Sequence, residues 1–230
     1  MTSAVPVQPT IAADLMLLLF NPHKGAISGE GTLYYPLGGA VLAELALDDH
    51  VDIEDAGKHR AGKVTATGSG PEDPLLREAW DRIAKKPQGA QGLLAAIGPR
   101  LRGPVLDRIV YRGDIVRTKR KVLGIFPSTK LSDGGTTRRP ELVSQMQAVY
   151  LHGVDPDPRT GILAALLSAS GQLHSLHREI PWSGDLKKRG KELEKASWAA
   201  EGVSTAIQSA AAVVATSVVM SSAAIATTTN

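Results

Sequence analysis

The chain has 230 residues, of which 43% are apolar and 21% charged, a composition typical of a globular protein and not of a disordered one. It contains no cysteine, which excludes a disulfide scaffold, thiol catalysis and cysteine-ligated metal centres and fits a reducing cytoplasm. The net charge of +3 is unevenly distributed, because residues 100–121 alone hold eight Arg or Lys and two Asp. Such a concentration indicates a surface that binds an anion, either nucleic acid or acidic lipid headgroups, or else a solvated face.

The N-terminal part of the chain predicts a tail followed by two buried helices. Residues 1–10 are expected to be a flexible tail, and they lack the basic and apolar succession of a cleaved signal. Residues 12–20 are apolar enough for a buried helix, and the glycine-rich segment 21–31 is typical of a loop. Residues 34–47 place Leu and Val at helical spacing and predict the clearest buried helix.

The middle of the chain alternates hairpins and helices. Alternating β-branched residues on either side of a turn predict a short hairpin within residues 51–67. An amphipathic helix is expected over residues 75–86, after an Asp-Pro start, and a shorter helical segment over 92–97. Residues 105–112 predict a further helix that a glycine ends, and residues 114–130 a second hairpin.

The C-terminal part predicts three helices and an uncharged tail. The helices are expected over residues 140–151, 160–174 and 183–200. Residues 202–230 carry no charge and consist mainly of Ala, Val, Ser and Thr, which favours a small-residue helix packed inside the protein over a tail anchor. No linker of domain-separating length occurs, so the sequence predicts a mostly α, single-domain helical bundle spanning residues 11–227, with two small β-hairpins.

Signals for catalysis or metal binding are weak. His174 and His177 lie three residues apart with Glu179 nearby, a spacing that fits a surface pair better than a metal site. The glycines near residues 29–39 are not followed by the Gly-Lys-Ser/Thr of a phosphate-binding loop. Nothing assembles an acid, a base and a nucleophile, so we expect no catalytic residues, no enzymatic activity, no cofactor and no metal.

The most informative segment is residues 117–127, with sequence RTKRKVLGIFP. Its cations precede an apolar run, and a hairpin of this sequence cannot turn every apolar side chain of its tip inward. Cations beside an exposed apolar tip suit a peripheral membrane protein, because the tip enters the headgroup region while the cations meet anionic lipid. An ordinary strand with its apolar residues in the core is the alternative. Nucleic acid is not the expected partner, since only Tyr111 and Phe126 could stack on bases.

The order and spacing of several segments resemble the Golgi phosphoprotein 3 family, in particular its bacterial, actinobacterial-looking branch. The segments are LLLF at 17–20, GGAVLAELA at 38–46, KVT at 63–65, PLL at 74–76, IVYRG at 109–113 and DPRT at 157–160. The resemblance implies a helical bundle ringed by amphipathic helices, with hairpins. Eukaryotic members of the family are peripheral membrane proteins that bind phosphatidylinositol 4-phosphate and act as adaptors retaining glycosyltransferases.

The resemblance also implies a set of lipid-binding residues. A membrane-inserting hairpin tip in the family corresponds here to Leu123, Gly124, Ile125 and Phe126. Two basic residues that meet the headgroup phosphate correspond to Arg102 and, near Pro99, to Arg100 as the available cation. Leu37 stands where the family has an arginine, and Tyr34 or Tyr35 is the stand-in for a family tryptophan.

The resulting hypothesis is a cytoplasmic protein associated peripherally with an anionic phospholipid surface, such as one containing phosphatidylinositol 4-phosphate or another phosphoinositide. The expected headgroup-binding residues are Arg100, Arg102, Tyr34, Lys119, Arg120 and Lys121. One alternative is a protein–protein adaptor or scaffold without a lipid role, and client proteins are possible partners in either case. A second alternative is an enzyme or small-molecule binder in the bundle interior, for which Tyr34, Glu44 and His50 are available. The sequence leaves the oligomeric state open.

Overall fold

The computed structural model describes residues 9–53, 63–122 and 126–195, apart from the side chains of residues 53, 120–122 and 126–128. The α-helices of these ranges are α1 (Ile11–Leu19), α2 (Tyr34–Leu47), α3 (Pro74–Lys85), α4 (Ala90–Ile97), α5 (Arg102–Tyr111), α6 (Arg138–Leu151), α7 (Pro158–Ala169) and α8 (Gly184–Glu194). The strands are β1 (Phe20–Asn21), β2 (Ala26–Ile27), β3 (Val51–Ile53), β4 (Lys63–Ala66), β5 (Gln88–Gly89), β6 (Ile115–Val122) and β7 (Phe126–Asp133).

The architecture confirms the prediction of a mostly α fold with small hairpins. Strands β3 and β4 pair antiparallel, as do β6 and β7, and these are the two hairpins expected from the sequence. The structure adds a two-residue pairing of β1 with β2, and β5 joins β4 as a third strand. These sheets have two or three strands each and contribute buried side chains to the core, among them Phe20, Val64 and Ile115.

Three helices form the centre of the bundle. Every residue of α1 is buried, as are ten of the fourteen residues of α2 and nine of the twelve of α7. Helix α1 packs against α2, α5, α6 and α7, so it is enclosed on all sides by other helices. A helix that is apolar all round belongs in such a position, because it has no face that water would solvate favourably.

The outer helices are amphipathic, as the sequence predicts for residues 75–86. Helix α3 buries Leu75, Leu76, Ala79 and Ile83, which recur at helical spacing, and turns its charged residues outward. Its start is fixed by Asp73, whose carboxylate accepts hydrogen bonds from the backbone N–H groups of Leu75 and Leu76. The outer layer thus covers the central helices and presents charge to solvent.

Several element boundaries differ by two or more residues from the sequence-based predictions. The expected loop 21–31 contains β1 and β2, because Asn21 Oδ1 accepts backbone hydrogen bonds from His23 and Lys24 and closes a tight turn. The helix expected over 160–174 ends at Ala169, where Gly171 adopts a positive φ of 68° that redirects the chain. Helix α5 begins at Arg102, three residues before the predicted start.

No helix in the described part of the chain is long and apolar enough to cross a membrane. The uncharged segment 202–230 and residues 1–8 of the expected N-terminal tail 1–10 lie outside the described residues. Thr10, the last residue of that expected tail, is instead buried and caps α1 by accepting a hydrogen bond from the backbone N–H of Ala13. Helix α8 confirms the beginning of the last predicted helix, whereas residues 196–200 of that prediction also lie outside them.

Two buried carboxylates tie the central helices together. Asp14 of α1 is completely buried, and its oxygens accept hydrogen bonds at 3.0 and 2.5 Å from the guanidinium of Arg138 on α6. Glu44 of α2 accepts one hydrogen bond at 2.9 Å from the backbone N–H of Ile11 and one at 3.1 Å from Arg159 of α7. The two carboxylates therefore join α1, α2, α6 and α7 through groups that only one helix arrangement can pair.

The Glu44 site predicts a pH-dependent stability. Burial raises the pKa of Glu44 from 4.5 to about 7, although Arg159 and the N–H of Ile11 act in the opposite direction. Between these values the folded protein holds a proton that the unfolded chain has released. The contribution of this bound proton to the free energy of unfolding is therefore complete below about pH 4.5 and is lost as the pH rises through about 7.

We expect wild-type protein to lose about 2 to 3 kcal/mol of unfolding free energy between about pH 5 and pH 8, relative to a Glu44→Gln variant that cannot titrate there. Urea unfolding of both proteins at the two pH values measures the difference. Parallel pH profiles for the two proteins would contradict a raised pKa at this carboxyl.

Candidate functional site

The β6–β7 hairpin extends away from the helical body. At its base Ile115 is fully buried and Leu131 nearly so. Further along, Thr118 and Lys119 are neighbours on β6 and both are exposed, as are their partners Lys130 and Thr129 on β7. Because successive residues of a strand face opposite sides, exposure of both neighbours means that neither face of the stem packs against the body here.

The hairpin continues outward beyond these positions. The ladder runs on to the pair Val122 and Phe126, so residues 123–125 connect the strands at the far end. Four residues of β6 beyond Thr118 span about 13 Å at a rise of roughly 3.3 Å per residue. The backbone ladder therefore extends beyond the strand pairs whose exposure is described.

Several arginines of the basic segment 100–121 hold the body together. Arg108 donates hydrogen bonds at 2.6 and 2.7 Å to the carboxylate of Asp73, the residue that begins α3. Burial acts to raise the pKa of Asp73, but the hydrogen bonds from Arg108 and from the backbone of α3 hold it below its usual value. Arg112 pairs in the same way with the buried Asp114. These two guanidinium groups are largely withdrawn from solvent, so they are parts of the fold.

Two other arginines of that segment line one open groove. The groove has a volume of about 520 Å³ and lies between the start of α5, the base of the β6–β7 hairpin and the chain around residues 25–30. Arg102 binds Glu30 through two hydrogen bonds of 2.7 and 2.6 Å, and these hydrogen bonds raise the pKa of Arg102. Arg117 donates a 2.7 Å hydrogen bond to Asp107. Because both carboxylates also line the groove, its cations are already paired.

The pairing in this groove is exposed and therefore weak. The Arg102 and Glu30 side chains retain 47% and 44% of their accessible surface. Ion pairs in contact with water contribute only about 0–1 kcal/mol, because solvent and salt screen them. An anion that offers Arg102 a phosphate can therefore displace Glu30 at little cost.

The other expected headgroup residues do not line this groove. Arg100, in the 3-10 turn that precedes α5, is exposed, with Nη1 4.0 Å from Glu78 Oε1. Tyr34 is half-buried at the first position of α2. Its carbonyl oxygen lies so close to Gly98 that a side chain at position 98 would collide with it. Leu37 is fully buried, so the position that corresponds to an arginine in the family faces the core.

The remaining residues of the predicted site are only partly described. Lys119 is exposed on β6, and none of the ion pairs in the described part of the chain involves it. Arg120 and Lys121 belong to β6 and Phe126 to β7 by their backbone, whereas Leu123, Gly124 and Ile125 lie outside the described residues. Their roles at a membrane remain predictions.

The candidates for an interior enzyme site do not converge. Tyr34 and Glu44 lie about 15 Å apart along the axis of α2 at a rise of 1.5 Å per residue. Glu44 is engaged by Arg159 and the Ile11 N–H, and the backbone carbonyl of His50 accepts a hydrogen bond from the Trp80 indole. Among the described residues, no group of three or more His, Asp or Glu is arranged to hold a metal ion.

Two residues of the groove were not identified from the sequence. Glu30 lies between Gly29 and Gly31 in a segment expected to be loop, and Asp107 lies within the basic segment as one of its two acids. Their partners are distant along the chain, Glu30 from Arg102 by 72 residues and Asp107 from Arg117 by 10. A charge count along the sequence cannot detect such pairs.

Comparisons with known proteins place the chain in a family. The model of the family described as Golgi phosphoprotein 3 (GPP34) matches residues 11–210, which is most of the chain. The matched residues run from the first residue of α1 through the last residue of α8 and beyond it. No curated protein matches the chain.

Proposed function

The chain belongs to the Golgi phosphoprotein 3 (GPP34) family, and from this premise we propose that it is a peripheral membrane protein, without catalytic activity, that binds anionic phospholipid. Eukaryotic members of the family are membrane adaptors that bind a phosphoinositide. In this chain the proposed contacts are Arg102 of the groove, Arg100 and Tyr34, the hairpin cations Lys119, Arg120 and Lys121, and the apolar tip at 123–126.

The observation that carries the proposal is the exposed stem of the β6–β7 hairpin. Because both faces of the stem are in water, the stem does not itself attach the apolar segment between its strands to the core. Leu123, Ile125 and Phe126 would gain about 1.5–3 kcal/mol each on entering an apolar phase. Three cations next to an acidic surface add about 1 kcal/mol each. Together the two contributions are sufficient for reversible membrane binding, whereas either one alone is weak.

The ligand we propose is an anionic membrane surface and not one particular phosphoinositide. The position of the family's arginine is the buried Leu37, so a headgroup cannot reach it without displacing the core. Arg102 and Arg100 remain at the surface and recognise phosphate by charge and by guanidinium hydrogen bonds. Affinity should therefore follow the charge of the vesicle more than the identity of its phosphorylated lipid.

Vesicle sedimentation tests the hairpin. Wild-type protein is expected to bind vesicles increasingly as their anionic lipid content rises, and to dissociate as salt is added. A Leu123→Ser/Ile125→Ser/Phe126→Ser variant should bind at least about tenfold more weakly, because the apolar contribution is removed.

A matched control substitutes exposed apolar residues elsewhere on the surface. Leu151 and Val154 are 42% and 50% exposed near the end of α6, and a Leu151→Ser/Val154→Ser variant should bind like wild type. Vesicle binding that does not depend on anionic lipid content and salt, or that the tip substitutions leave unchanged, would contradict the proposal. A co-purifying protein partner together with no vesicle binding would support the adaptor alternative instead.

The paired groove gives a second prediction, in the opposite direction. A Glu30→Gln variant releases Arg102 from its carboxylate, so binding to anionic vesicles should become about fivefold tighter, the equivalent of about 1 kcal/mol for one cation. A Glu192→Gln variant on α8 makes the same change in net charge away from the groove and controls for it. Equal tightening by both substitutions would mean that net charge, and not Arg102, governs binding.

A further inference from the structure

The base of the β6–β7 hairpin is closed by contacts just outside its paired strands. The ladder begins at the pair Ile115 and Asp133. Next to this pair, the backbone N–H of Gly134 donates a 3.0 Å hydrogen bond to the carbonyl oxygen of Asp114. Gly134 also lies so close to the carbonyl oxygen of Gly113 that a side chain at position 134 would collide with it. The chain entering the hairpin and the chain leaving it are therefore in backbone contact.

The side chain of Asp114 joins the same two segments. It is buried, and its Oδ1 accepts a 2.6 Å hydrogen bond from the hydroxyl of Thr136, which lies between β7 and α6. Its Oδ2 accepts hydrogen bonds from Arg112, which follows α5, and the one from Nε is 2.7 Å long. A carboxylate withdrawn from water needs such partners, so losing either of them is costly. We call Asp114, Arg112, Thr136 and Gly134 together the hairpin clamp.

The clamp is connected to the core of the bundle. The guanidinium of Arg112 lies 4.0 Å from the carboxylate of Asp14 on α1, which is completely buried. Helix α5, which leads into the clamp, packs on α1 as well. The base of the hairpin is therefore held against the helix that is enclosed on all sides by the bundle.

Outside the clamp, little holds the stem in one direction. Ile115 and Leu131 are buried at its base, but apolar contacts are not directional. Arg117 donates a 2.7 Å hydrogen bond to Asp107 of α5, yet the Asp107 side chain keeps 65% of its surface exposed. Water and salt weaken a pair of this kind. The directional, buried contacts at the base of the stem are those of the clamp.

The direction of the stem also determines the shape of the groove that contains Arg102. Arg117, Thr129 and Leu131 line this groove from the stem, whereas Arg102 lines it from the start of α5. A stem that rocked about its base would move its cations relative to Arg102. Two linked binding elements reinforce each other only when their geometry lets both engage the same surface.

We propose that Asp114 is a positioning residue, which holds the stem in one direction so that the hairpin and Arg102 meet the same membrane surface. The inference rests on the proposed membrane binding and adds the residue that aligns its two elements. Asp114 is buried and touches no lipid itself, and it acts through Arg112 and Thr136.

Distances between spin labels test the clamp in solution, without membranes. The chain contains no cysteine, so a Thr118→Cys/Ser144→Cys protein carries one label on the exposed stem and one on α6. This protein should give a single narrow distance distribution. Adding Asp114→Asn should widen the distribution about twofold, because the stem then depends on apolar contacts and an exposed ion pair. Thr136→Val removes one hydrogen bond and no charge, and should widen it less.

A second label pair separates movement of the stem from loosening of the bundle. Ser144→Cys and Lys187→Cys place labels on α6 and α8, and their distance distribution should stay narrow in every variant. Thermal unfolding verifies the fold of each protein. If Asp114→Asn does not fold, Thr136→Val, which keeps the carboxylate and its pair with Arg112, decides the outcome by the same measurement.

Vesicle sedimentation then tests what the direction of the stem does for binding, with Asp107→Asn as the matched variant. Both Asp→Asn substitutions remove one negative charge beside an arginine of this region. Asp107→Asn releases Arg117 and should bind anionic vesicles more tightly. Asp114→Asn should bind them about fivefold more weakly, because the hairpin and Arg102 no longer engage one surface together.

Each result has one meaning. An unchanged stem distance in the clamp variants, or widening of both label pairs alike, would overturn the positioning role whatever the vesicles show. A wider stem distance with vesicle binding as tight as that of Asp107→Asn would show that charge and not direction governs binding, which also overturns it. Wild-type protein that binds no anionic vesicles contradicts the proposed function itself, and the distances measured without membranes make this failure distinguishable.

Discussion

The pairing of Asp14 and Glu44 with guanidinium groups inside the helical bundle constrains everything else in this fold. A buried ion pair adds little net stability over an apolar contact, but removal of one partner costs about 3–5 kcal/mol, because the other charge is left without compensation. Apart from Asp14, helix α1 is apolar on every side, so its apolar residues alone do not distinguish one face from another. The Asp14–Arg138 pair selects one rotation and one register for α1, and Arg159 does the same for α2 against α7.

That fixed frame determines where the basic segment 100–121 can act. Helix α5 packs on α1, and Arg108 joins it to the start of α3, so the residues at either end of α5 emerge at defined places. Arg102 emerges beside Glu30, and the chain after α5 turns at once into the β6–β7 hairpin. The hairpin therefore starts directly after a helix that packs on the central helix α1, and the base of its exposed stem is fixed at that point.

The sequence predicts the helices of this protein better than its ion pairs. Helix signals are local, whereas the partners of an ion pair can lie far apart along the chain. Helix periodicity and the Asp-Pro starts at residues 73–74 and 157–158 are local signals, so the core helices and the two main hairpins are confirmed. The end of α7 and the β1–β2 pairing depend on a positive φ at Gly171 and on the Asn21 turn, which apolar spacing does not report. The sequence predicts an anion-binding or solvated surface for the basic segment and does not reveal its ion pairs, because the partner carboxylates of Arg102 and Arg108 lie 72 and 35 residues away.

Burial separates the arginines of this chain into two functional groups. Arg138 meets a carboxylate that water cannot reach, so opening the pair would leave a buried charge that water does not solvate. Arg102 makes equally short hydrogen bonds to Glu30, yet both side chains are nearly half-exposed and water or a phosphate can replace the carboxylate. Hydrogen-bond length is therefore a poor guide to which arginines are available for a ligand. In this protein the useful criterion is what happens to the carboxylate that is left behind. Glu30 would be solvated, whereas Asp14 would stay buried, with only the longer contacts to Arg159 at 3.5 Å and Arg112 at 4.0 Å.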